Sequence, residues 1–189
     1  KTWPLACVLD AAEAGQRAFG ENYVQEGIEK IAAVSGRNLE WHFIGPLQSN
    51  KTKQVAEHFD WVHSIDRLKV AERLSAQRPA YLPALQVCVQ VNVSGEASKS
   101  GCAPDQALAL CRAVAALPGL QLRGLMAIPE ASDDMAAQRI PFRKLRELSE
   151  QIRTAGVPLD TLSMGMSHDL EAAVAEGATI VRIGTAIFG

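Results

Sequence analysis

Leu85-Gln86-Val87-Cys88-Val89-Gln90-Val91-Asn92-Val93 alternates without a break: every odd position is aliphatic, and the even positions carry Gln86, Cys88, Gln90 and Asn92. A period of two belongs to a β-strand, whose successive side chains point to opposite faces. Working outward, six further short β-like segments flank this one: Arg17–Glu21, Glu40–Gly45, Trp61–Asp66, Gln121–Ile128, Thr161–Gly165 and Thr179–Thr185. With Leu85–Ser94 they make seven. Helical segments separate them, and end-to-end alternation of strand and helix predicts a parallel sheet built from βα units. One more strand ending at Lys1 would make eight, the number a (β/α)8 TIM barrel requires. A doubly wound open sheet is the alternative, weakened because no GxGxxG follows the first strand. In a barrel, the aliphatic face of Leu85–Val93 packs on the outer helices and its polar groups point inward. By the same parity Val181 and Ile183 face the helices, while Arg182 and Gly184 face in.

The helices announce themselves by their ends. Pro4 and Gly15 bracket Leu5–Ala14. Asn22 is placed to cap a helix with Val24, Ile28, Ile31 and Ala32 on one face, ended by Gly36. Asp66 would cap a third, with Leu68, Ala71 and Leu74 inward. Pro104 opens a fourth, closed by Pro118-Gly119. A long segment, about Asp133–Ala155, reads as helical but should break at Pro141. Leu170–Glu176 is a short last helix stopped by Gly177.

Composition narrows the function classes. Of 189 residues, 48% are apolar and 21% charged, the balance of a globular protein with a sizeable core. The net charge of −2 predicts no nucleic-acid footprint. No apolar run reaches the 18 or so residues of a membrane span, and Arg182 interrupts even the apolar C-terminus. The four cysteines (Cys7, Cys88, Cys102, Cys111) have no CxxC or zinc spacing, so free thiols in a reducing cytoplasm are expected. The chain opens on Lys1-Thr2-Trp3-Pro4 without a signal peptide, and residues are expected to precede it.

Barrels place their sites at the C-terminal strand ends, often with phosphate held after the last two strands. Those places read Ser163-Met164-Gly165-Met166-Ser167 and Arg182-Ile183-Gly184-Thr185, rich in small residues and hydroxyls. Backbone N–H groups there, with the Ser167 and Thr185 hydroxyls, would cradle an anion. An arginine inside a barrel strand is costly unless it meets an anion or a carboxylate; for Arg182 both an internal salt bridge and ligand contact remain open. Lys1, at the rim of a preceding strand, is an amine suited to a Schiff base with an aldehyde. Lys99, in Ser98-Lys99-Ser100-Gly101, is the rival amine, and Lys51 and Lys53 read as a solvated helix start. Glu21 and Asn22 follow one strand, His42 lies within the next, and His63 and Ser64 on the one after. No histidine pair shares an i, i+4 helix face and no carboxylate cluster accompanies them, so no metal site is expected.

Lys1-Thr2-Trp3-Pro4, Phe19–Glu26 (FGENYVQE), Trp41–Lys51 (WHFIGPLQSNK), Ser98–Gly101, Gly124–Pro129 (GLMAIP), Ser163–Ser167 (SMGMS) and Arg182–Gly189 (RIGTAIFG) together resemble the pyridoxal-phosphate homeostasis proteins, the YggS/PROSC group. The resemblance spans essentially the whole chain, in order. It implies a single barrel over residues 1–189 like the N-terminal domain of alanine racemase, with about 35 residues before Lys1. It implies pyridoxal 5'-phosphate (PLP) held as an aldimine on Lys1, Asn22 near the ring, and Ser167, Gly184 and Thr185 on the phosphate; His42 is a further cofactor-binding candidate, although a lone histidine on a strand is more often a hydrogen-bonded interior residue. Ser163, with Met164 beside it, or Arg182 would stand at the ring nitrogen. Trp3 departs from the family, many members of which carry a second lysine there.

The function implied is cytoplasmic PLP homeostasis, a carrier or regulator supplying apo-enzymes, rather than catalysis. A two-base racemase needs an acid/base group on the far face of the cofactor, and only Tyr23 and Tyr81 exist here. Catalysis by PLP also calls for a carboxylate on the ring nitrogen, and neither of the last two strand ends carries one. An amino-acid racemase-like enzyme is the alternative, and a cofactor-free phosphosugar barrel a third reading. No nucleic acid, membrane or metal partner is expected, and a monomer is.

Overall fold

The computed structural model describes residues 3–94 and 100–189. Seven strands form one all-parallel sheet in chain order: β1 (Ala18–Glu21), β2 (Glu40–Phe43), β3 (Trp61–Ile65), β4 (Leu85–Gln90), β5 (Leu120–Met126), β6 (Thr161–Met166) and β7 (Ile180–Arg182). Helices α1 (Leu5–Glu13) to α8 (Thr185–Phe188) alternate with them: α2 (Val24–Ala33), α3 (Thr52–His58), α4 (Leu68–Gln77), α5 (Ala107–Ala115), α6 (Met135–Thr154) and α7 (Leu170–Ala175). The sheet curls into a nearly closed barrel. One hydrogen bond demonstrates the curl. β3 and β6 are three strands apart, about 14 Å across a flat sheet, yet His63 Nδ1 on β3 lies 2.7 Å from Ser163 Oγ on β6.

The alternation of Leu85–Val93 divides the interior into two layers. Leu85, Val87, Val89, Val91 and Val93 join Val55, Leu74, Phe142 and Leu145 in the aliphatic shell between strands and helices. Each such side chain, fully buried, contributes about 1.5–3 kcal/mol. Cys88 turns the other way and meets Trp61, Met126 and Ile180 in a separate cluster inside the barrel. At the N-terminal mouth the Arg123 guanidinium lies 5.0 Å over the Trp61 ring and pairs with Asp160 at 2.8 Å. The same arginine donates to Gln86 Oε1 at 2.9 Å. These groups close that end, so the opposite rim is left to carry chemistry.

Four local expectations need correction. α6 runs unbroken through Pro141. The missing N–H and ring clash cost about 3 kcal/mol, but Phe142, Leu145 and Ile152 are buried along this helix. Asp134 also caps its start, accepting from Ala136 N at 3.4 Å and Ala137 N at 2.9 Å. Asn22 does not cap α2, whose first flanking residue is Tyr23. Asp66 does not cap α4 either; its carboxylate is taken by the Arg67 guanidinium at 2.7 Å, a charged donor outcompeting a backbone amide. On α2 the inward face is Val24, Ile28 and Ile31, with Ala32 exposed.

Candidate functional site

All strands are parallel, so every C-terminal strand end lies on one rim. Gly165 shapes it. Its φ of +97° and a would-be Cβ 2.5 Å from Ala173 Cβ let β6 pass tightly against α7 before delivering Ser167. Ser167 Oγ then accepts from the Ala186 N–H at 3.2 Å, which ties the end of β6 to the first turn of α8 beside Thr185. The Trp3 indole Nε1 comes within 3.4 Å of the point where a Cβ on Gly184 would sit, and its ring packs 5.5 Å from Phe188. Trp3 therefore stands against the loop holding Gly184 and Thr185. Lys1 and the rival Lys99 lie outside the described residues. Asn22 directly follows β1 on the same rim, its backbone pinned by Gly45, where a Cβ would fall 2.1 Å from the Asn22 carbonyl oxygen.

Deeper in the barrel, Arg182 Nη1 donates to Ser163 Oγ at 2.7 Å and Nη2 to the Ala127 carbonyl at 2.9 Å. Among the described residues no carboxylate lies within ion-pair distance of this guanidinium. Burial lowers it to about 10 against the pull of Asp169, so it stays a cation at neutral pH. Asp169 is itself occupied, accepting the Met166 N–H at 2.6 Å.

His42 sits as a hydrogen-bonded interior residue. It is buried mid-barrel, stacked 5.2 Å from Trp61, with both nitrogens engaged. Nδ1 faces His63 Nε2 at 2.8 Å and Nε2 faces Glu40 Oε1 at 2.8 Å. It reaches the rim only through His63 and Ser163. The Met164 side chain lies fully buried in the outer aliphatic shell, so only its backbone can serve a site. His63, Glu40 and Trp3 are the polar or aromatic participants that sequence reading left out of the site. The signal for His63 is parity: it falls two residues after inward-facing Trp61.

Burial holds both rings below their ordinary pKa, and for His63 strongly so, with His42 and Arg182 acting in the same direction. The unfolded chain binds protons at these histidines from about pH 6.5 downward while the native chain resists. Stability is thus complete above that pH and falls as the solution is acidified. The urea midpoint should drop between pH 7.5 and 5.5; a midpoint unchanged over that interval would count against neutral buried rings.

Among the described residues no cluster of His, Cys, Asp and Glu could hold a metal ion, and no helix is long and apolar enough to cross a membrane. The four cysteines are free thiols. The architecture, a parallel barrel with its polar groups at the C-terminal rim, is that of the (β/α)8 barrels. The family described as "Alanine racemase, N-terminal domain" matches residues 3–189. The chain is 64% identical over 189 residues to the pyridoxal phosphate homeostasis protein of Pseudomonas aeruginosa, covering all of this chain and 81% of that one. It is 55% identical to the protein of that name in Escherichia coli K12, covering all of this chain and 82% of the relative. PipY of Synechococcus elongatus, solved with PLP bound, superposes with a TM-score of 0.92 at 39% identity, over 100% of this chain and 89% of that one. An alanine racemase of Clostridium difficile, at 14% identity and a TM-score of 0.81 over 97% of this chain and 47% of its own, shares the fold. The chain belongs to the alanine racemase N-terminal domain family and, within it, to the pyridoxal phosphate homeostasis proteins.

Proposed function

We propose that this protein binds PLP through Lys1 and serves PLP homeostasis as a cytoplasmic carrier, handing the cofactor to apo-enzymes without substantial catalysis of its own. The observation that carries the reading is Arg182: a half-buried cation on β7, three residues before Thr185, with no carboxylate within ion-pair distance among the described residues. A ring nitrogen acceptor facing a guanidinium fits that vacancy of charge partners. A cation there also disfavours protonation of the nitrogen, so the ring is a poor electron sink. The Ser167 hydroxyl, the backbone at Gly184 and the Thr185 hydroxyl suit the phosphate. Bonding is a condensation: the Lys1 amine and the aldehyde form a C=N bond and release one water, and hydrolysis reverses it. The PLP-bound relative and the names of the similar proteins support the ligand.

The test is a titration of the purified protein with PLP, followed by visible absorbance. Saturable binding is expected, and Ser167→Ala should weaken it about tenfold, the loss of one hydrogen bond to a charged group. Absence of saturable binding would contradict the reading. So would racemisation or decarboxylation of amino acids at about 1 s⁻¹ or faster, a rate typical of enzymes. Sedimentation should give the mass of a monomer.

A further inference from the structure

Five polar side chains connect end to end through the barrel, from the start of β2 to the end of β7. Glu40 Oε1 meets His42 Nε2 at 2.8 Å, His42 Nδ1 meets His63 Nε2 at 2.8 Å, His63 Nδ1 meets Ser163 Oγ at 2.7 Å, and Ser163 Oγ meets Arg182 Nη1 at 2.7 Å. The ends determine the direction of every bond between them. A guanidinium can only donate, and an ionised carboxylate can only accept. Half of the Glu40 side chain is exposed, at 51%, so water solvates its carboxylate. His42 must therefore donate through Nε2, which leaves Nδ1, in a neutral ring, as an acceptor. His63 must then donate through Nε2 and accept at Nδ1. Ser163 must give its proton to His63 while accepting from Arg182.

We propose that Glu40, His42, His63 and Ser163 form a single polarised hydrogen-bond relay that holds Arg182 as the donor facing the ring of the cofactor, with His63 as its positioning residue. With the Ser163 proton committed to His63, the only N–H or O–H donors the pair can turn to a ligand are those of the guanidinium, and their complement is an acceptor such as an unprotonated pyridine nitrogen. This role for Arg182 rests on the PLP reading given above; the direction of the relay does not. The groups facing the two rings agree with neutrality. Glu40 and Asp60 on the β2 side attract a proton to His42, but burial outweighs them; Arg182 from β7 repels one from His63. The Trp61 ring lies against both histidines, and beyond it Arg123 is already spent on Asp160.

The direct test needs no ligand. Two-dimensional ¹⁵N NMR of protein labelled at histidine reports ring tautomers, and His42 and His63 should both appear as neutral rings protonated at Nε2. A ring protonated at Nδ1, or a doubly protonated ring at neutral pH, overturns the relay. Glu40→Gln, a change at the exposed end, removes the obligate acceptor, so the His42 signal should become a mixture of tautomers; an unchanged pure Nε2–H pattern contradicts the polarity. For the positioning role, PLP titration of His63→Asn and His63→Leu separates a retained acceptor for Ser163 from none. His63→Leu should bind PLP about tenfold more weakly, as a lost hydrogen bond to a charged group implies, and His63→Asn should recover part of that. Equal affinity in wild type and His63→Leu overturns the role. Should the wild-type protein not bind PLP at all, the PLP reading and the role of Arg182 fail together, while the tautomer pattern still decides the relay.

Discussion

Lys1→Ala should abolish the visible absorbance that PLP acquires on the protein, because no other amine is expected to bond the aldehyde. Its folding should be unaffected: the urea midpoint should match wild type, since the described buried core begins with Val8. Residual non-covalent binding should survive, held by Ser167, Thr185 and Arg182, and be displaced by inorganic phosphate. A visible band undiminished in Lys1→Ala would transfer the role to Lys99, the other amine placed in a small-residue loop.

The second large effect is on folding, at Gly165. Gly165→Val forces a side chain onto a backbone at φ +97° and drives its Cβ toward Ala173, which is itself fully buried and cannot give way. The backbone conformation costs about 1–2 kcal/mol and overpacking about 1–3 kcal/mol. Together they reach about 2–5 kcal/mol, a large share of the 5–15 kcal/mol of an ordinary domain. Gly156→Val separates the two contributions, because Gly156 has φ +91° with nothing within 4 Å of a Cβ. It should lose only the conformational part. Equal midpoints for the two variants in urea would show that the close approach of β6 to α7 carries no energy. Because Ser167 follows two residues later, Gly165→Val should also weaken phosphate binding at temperatures where the chain remains folded.

The two faces of Leu85–Val93 are legible in the sequence because strand parity is a covalent fact: side chains two apart share a face whatever the rest of the chain does. That parity carries Cys88 inward and Val87 outward, and it carries Arg182 to the interior as well. Helix ends are less legible. Asn22 and Asp66 are the right residue types for caps, but a cap depends on the backbone angle of one residue and on competitors, and Arg67 takes the Asp66 carboxylate. Pro141 reads as a break because its local cost is visible, whereas the burial of Phe142 and Leu145 that outweighs it is a tertiary effect. His42 is only half legible for a related reason. Its place on a strand is plain, but its partners, Glu40 and His63, are chosen by register with β3 and by the curl of the sheet. Nothing local announces that residue 63 will meet residue 163.

The central claim is that the PLP aldehyde bonds the Lys1 amine beside a phosphate site made by Ser167, Gly184 and Thr185. Borohydride reduction of the PLP-loaded protein, then digestion and peptide mass mapping, reads that bond directly. The account predicts a reduced pyridoxyl-phosphate mass on the peptide containing Lys1 and on no other. The same mass on the Lys99 peptide, or no modified peptide at all, would contradict it.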